Sequence, residues 1–118
     1  MQLQWHKRED RSWHALHEID LEQIEGYGVF IVWRDGDPSH APAVLYVGRG
    51  SLKHELTQVR RSPLFHAAPR LSVTWAMVAS VRDLEPIAAY LYQQLRPLWG
   101  EIVPPSPHTV PVNLPQPA

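Results

Sequence analysis

The sequence predicts an α+β domain: a small three-stranded sheet flanked by helices, followed by a proline-rich tail. Three observations predict it. Two short apolar runs, Gly28-Val29-Phe30-Ile31-Val32-Trp33 and Val44-Leu45-Tyr46-Val47-Gly48, are joined by the turn-rich Arg34-Asp35-Gly36-Asp37-Pro38, which suggests an antiparallel pair. Two later stretches carry apolar residues at helical spacing, with a third strand-like run between them. From Leu98 onward, six of the chain's 12 prolines crowd into the last residues, where regular structure is not expected.

In chain order, residues 1–25 read as an N-terminal extension with an alternating start (Leu3, Trp5) and one or two helical turns ending before Gly26. His14 and His17, three apart, would share a face of such a turn. Without a third ligand they read as an ordinary surface pair rather than a metal site. The first core strand opens at Gly26-Tyr27-Gly28. The second, Ala43 to Gly48, is expected to stop at a tight turn, Gly48-Arg49-Gly50. Ser51 is a candidate cap for a helix that Pro63 stops, and Leu52, Leu56 and Val59 form its core-facing stripe. Lys53 and Arg60 share one flank of that stripe, and Glu55 lies on the other.

Residues 70–80 form the third strand, in which Leu71, Val73, Trp75, Met77 and Ala79 alternate with smaller or polar residues, so one face should be the better buried. Asp83 is placed to cap the last helix, with Leu84, Ile87, Ala88, Leu91 and Leu95 as its stripe and Arg96-Pro97 as its end. Residues 1–97 then make the domain and 98–118 the extended tail. Val110, Val112 and Leu114 would anchor the tail only at its end, with Pro104-Pro105 and Pro107 extended.

Composition narrows the class. No apolar run reaches the roughly 18 residues a membrane span needs, and the first residues lack the apolar stretch of a secretory signal. Cysteine is absent, which excludes disulfides and thiolate metal sites and makes a cytoplasmic location the expectation. The net charge of -1 does not mark a nucleic-acid binder, but its distribution is uneven. Arg49, Lys53, Arg60, Arg61 and Arg70 stand against Glu55 alone, so that segment carries +4 and the remainder -5.

The tripeptides Gly28-Val29-Phe30 and Tyr46-Val47-Gly48, together with the helix ending Tyr90-Leu91-Tyr92-Gln93-Gln94-Leu95-Arg96-Pro97-Leu98, resemble the signature of the GIY-YIG nuclease family. The resemblance spans Gly26 to Leu98. It implies metal-dependent phosphodiester cleavage by two tyrosines, an arginine on the helix after the second tripeptide and a metal-binding glutamate on the last helix. A phosphodiester requires charge neutralisation and an activated nucleophile, which those groups supply.

Mapped onto this chain, the second tyrosine is Tyr46. The first tyrosine falls on Phe30, which lacks the hydroxyl. The arginine position falls on Glu55 or Leu56, and the metal glutamate on Ala88. Three altered positions point to natural degeneration rather than one designed change. The resemblance then implies a catalytically impaired nuclease fold, needing no cofactor, that binds nucleic acid (DNA, single strands included) through Tyr46, Arg49, Lys53 and Arg60. A second reading is an active Mg-dependent endonuclease that uses Glu85, one turn before Ala88, with Tyr46; Glu85, Ala88 and Tyr92 share one helix face. A third is a protein-interaction module whose protein partner meets the tail or an exposed Trp5 and Trp13.

Overall fold

Tyr27–Arg34 forms the central strand, β2, because its core residues are apolar on both faces. Val29, Phe30, Ile31 and Val32 are all essentially inaccessible, which requires a layer above and a layer below. β3 (Ala43–Ser51) and β4 (Leu71–Met77) flank β2, both antiparallel to it. A two-residue strand, β1 (His14–Ala15), adds to the far side of β4, so the sheet has four strands in the order β1-β4-β2-β3 rather than the expected three. The computed structural model describes residues 1–36, 38–39, 41–68, 70–100 and 108–115.

The helices divide between the two faces of the sheet. α1 (Leu52–Arg61) and the single turn α2 (Pro63–His66) cover one. There Leu52, Leu56, Val59 and Phe65 join Phe30, Val32, Leu45, Val73 and Trp75. The other face carries α3 (Leu84–Leu95), whose Leu84, Ile87, Ala88 and Leu91 meet Val29, Ile31 and Ala76. Pro63 ends α1 and also opens α2, since a proline lacking its N–H is well placed in a first helical turn. α3 ends at Leu95, with Arg96 in the left-handed region (φ 47°) and its N–H bonded to the Tyr92 carbonyl at 2.9 Å.

Two expectations about the strands are corrected. β4 is buried on both faces from Leu71 to Ala76, and Met77 is exposed: Leu71, Val73 and Trp75 join the core on the α1 side, while Asp35 and the N-terminal segment at His6 meet the other face. Its buried hydroxyls are satisfied: Ser72 donates to the Asp35 carboxylate (2.9 Å) and Thr74 to the His6 carbonyl (2.8 Å). β3 does not stop at Gly48-Arg49-Gly50 but runs through it to Ser51, pairing Gly28 with Gly50 and Tyr27 with Ser51. Gly50 reaches φ +123° without leaving the ladder, a conformation that side chains rarely adopt.

The helical turns expected before Gly26 reduce to one 3-10 turn, Leu21–Gln23, with Asp20 accepting from the Glu22 N–H. His14 and His17 therefore share no helix face. His14 lies against Trp75, which also stacks on His6, whereas His17 meets His66. Burial holds the His14 imidazole below its ordinary 6.5, and the nearby charges of His6 and Arg8 act the same way. A neutral histidine is thus favoured in the folded state. Its contribution is present above pH 6.5 and is lost as pH falls from there through the lower folded value. Chemical denaturation between pH 7.5 and 5 should show stability falling on acidification, with a shallower fall in His14→Gln.

The tail is pinned at both of its described ends, not at its far end alone. Leu98 and Trp99 donate backbone N–H groups to Val44 and Leu45 of β3, at 3.1 and 2.7 Å. Farther on, Val112 is buried and Val110 packs beside it, but Leu114 is exposed. Asn113 takes the role expected of Leu114. Its side-chain amide accepts from the Leu3 N–H (2.6 Å) and donates to the Leu3 carbonyl (2.9 Å), mimicking a strand partner. Pro104, Pro105 and Pro107 lie outside the described residues. No helix among the described residues is long and apolar enough to cross a membrane.

Candidate functional site

The two tripeptides face each other across the β2–β3 ladder, with Phe30 opposite Gly48 and Gly28 opposite Gly50. A Cβ at Gly48 would overlap the Phe30 ring, and one at Gly28 would overlap the Ala76 carbonyl of β4. These glycines therefore let an aromatic ring and a neighbouring backbone close on the sheet. Past Val32 the ladder slips by one residue, leaving Leu45 as a bulge. Leu45 and Tyr46, though consecutive, consequently both turn toward the α1 face. Tyr46 is half-buried there, tilted against Phe30 and edge-on to Phe65, each at 5.7 Å between ring centres.

Beyond the bulge, alternation resumes and sends Val47 and Arg49 to the α3 face. The Arg49 guanidinium donates to a Glu85 carboxylate oxygen at 3.2 Å, joining β3 to the first turn of α3. Together they span a groove of about 750 Å³ between strand and helix, with Arg82, Ala88, Tyr92 and His108 on its walls. The expected shared face of Glu85, Ala88 and Tyr92 is realised as one wall of this groove. Arg49 is 43% and Glu85 80% exposed, so their attraction is screened and is worth at most about 1 kcal/mol. Such a pair aims the guanidinium without locking it.

The other residues singled out from the sequence go elsewhere. Lys53 pairs with Glu22 at 3.3 Å. Arg60 donates to the backbone carbonyls of Ile19 (3.0 Å) and His17 (3.5 Å), tying the loop before β2 onto α1. Lys53 and Arg60 do share a flank of α1, as their spacing implies, but that flank meets the preceding loop. The structure brings Glu85 to Arg49 and not to Tyr46, which lies on the opposite face of β3. Arg82 and His108 were missed in the sequence. Arg82 stands just before the helix and could have been found there, whereas His108 carries no local signal.

Neither Trp5 nor Trp13 is the exposed contact expected. The Trp5 indole donates to the Asn113 carbonyl at 2.9 Å. Trp13 packs edge-on against Trp33, with the Lys7 ammonium 4.4 Å from its ring centre. Trp13 and Trp33 line a more apolar cavity of about 330 Å³ with Val44 and Leu95, and no cation lines it among the described residues.

The magnesium ion that the resemblance implies for an active enzyme would have Glu85 as its carboxylate in this groove. No group of three or more His, Asp or Glu among the described residues is arranged to hold a metal. Glu85 is the one carboxylate among the described residues of the groove, and it is held by Arg49. Ala88, where the resemblance would put a glutamate, contributes only a methyl group. Magnesium bound with one carboxylate normally draws further ligands from substrate phosphates, water or other residues. In comparisons with known proteins, the chain matches no family model, no curated protein and no solved structure.

Proposed function

We propose that this domain binds nucleic acid, DNA strands included, through the groove between β3 and α3, and that it cleaves poorly. The observation carrying the reading is Arg49, aimed across the groove by a screened contact with Glu85 and open to exchange for a phosphate. A guanidinium binds phosphate in a forked, charge-assisted geometry, which outweighs a surface pair of at most about 1 kcal/mol. Arg82 supplies a second cation and Tyr92 a ring on which a base can stack. Cleavage needs a metal to polarise the phosphate and generate the nucleophile, and Ala88 stands where the resemblance puts its ligand.

Fluorescence anisotropy with labelled single- and double-stranded DNA tests the reading. Arg49→Ala with Arg82→Ala should weaken binding and lower the salt slope by about 0.7 per lost contact on single strands, or about 0.9 on duplex. Binding that keeps its affinity and slope in this variant would overturn it. Magnesium-dependent cleavage by the unaltered chain, abolished by Glu85→Gln, would instead establish an enzyme built on Glu85.

A further inference from the structure

A second cationic site lies away from that groove, where the end of α1 meets α2 and the loop before β2. Arg60 and Arg61 come from the last turn of α1, His66 from α2 and His17 from the loop. They wall an open pocket of about 680 Å³, with the Thr57 side chain at its edge. The two imidazoles stand edge to face at 6.3 Å between ring centres. No carboxylate lines this pocket among the described residues, whereas Arg49 and Lys53 each face a glutamate. Arg60 is already fixed by the carbonyls of Ile19 and His17, so one wall is preset. The Arg61 guanidinium makes no ion pair or hydrogen bond among the described residues.

Basic residues in a last helical turn are common, because the helix dipole favours cations there. That explanation covers Arg60 and Arg61 but not the two histidines that two other elements bring to the same pocket. From this convergence we infer a site for a phosphate monoester dianion, either free phosphate or the terminal phosphate of a nucleic-acid strand. A phosphate monoester carries about -1.5 to -2 and three strong acceptor oxygens, which suits two guanidinium groups and two imidazole N–H donors. An internal phosphodiester, with a single charge, would leave half of that set unmatched.

The test uses the intact chain. Inorganic phosphate should shift the imidazole C–H resonances of His17 and His66 in a saturable manner, and Arg61→Ala with His66→Gln should abolish the effect while leaving the melting temperature unchanged. A 5′-phosphorylated oligonucleotide should bind about tenfold more tightly than its 5′-hydroxyl counterpart if the strand end is the ligand. That gain should vanish in the same double variant and survive Arg49→Ala, which separates this site from the β3–α3 groove. Shifts with phosphate but no gain from the 5′-phosphate assign the site to free phosphate. Absence of both effects overturns the inference.

Discussion

Replacing Gly48 by alanine should destabilise the domain by about 3 kcal/mol, at the upper end of what overpacking a core usually costs. The added methyl falls on the Phe30 ring, which is fully buried and has Tyr46 and the α1 layer around it. Phe30, closed in on every side, has no room to retreat. Urea unfolding would read the loss, and Phe30→Leu supplies the control. If the cost is steric, Gly48→Ala should be markedly cheaper in the Phe30→Leu background, with a coupling energy of about 1–2 kcal/mol. A cost independent of residue 30 would refute this account. Gly28→Ala should be at least as damaging, and with no side-chain rescue, because its methyl meets the Ala76 carbonyl, a backbone atom of β4.

Deleting residues 108–118 should cost about as much by a different route. Val112 is buried, and exposing such a side chain costs about 1.5–3 kcal/mol. The two Asn113 bonds to Leu3 and the Trp5 indole bond to the Asn113 carbonyl go with it, each worth about 0.5–1.5 kcal/mol net. A total near 4 kcal/mol is a large share of the roughly 5–15 kcal/mol that holds a domain together. The truncated chain should therefore melt well over 10 °C lower by calorimetry. An unchanged melting temperature would show that these contacts add nothing to stability. Asn113→Ala alone should reproduce part of the drop.

The contrast between these two sites shows what the chain order reveals and what it conceals. The apolar runs of β2 and β3 and the stripes of α1 and α3 are periodic, so Leu52, Leu56, Val59, Leu84, Ile87 and Leu91 were legible as core and are buried. Periodicity cannot show how many layers cover a strand, which is why β4 looked one-sided. Nor can it locate a bulge, because the slip at Leu45 is a property of the pairing and not of either strand. The basic residues after Gly48 were read as one cleft because they are close in sequence. The sheet separates Arg49 from the others, and the loop before β2 occupies Lys53 and Arg60. Asn113 gave no signal, since one amide that imitates a strand partner has no pattern around it.

The seam between the first residues and residues 108–115 also bears on the order in which the molecule is made. Leu3 waits for a partner 110 positions later. On a ribosome adding about 5–20 residues per second, Leu3 emerges before Asn113 and stays unsettled while the β2–β3 ladder can already form behind it. Closing a loop of that length costs about 2 kcal/mol more in chain entropy than closing one of ten residues, so little favours the seam until the sheet has brought its two sides together. Leu3, which emerges 110 residues before its partner, is therefore among the last residues to find its place.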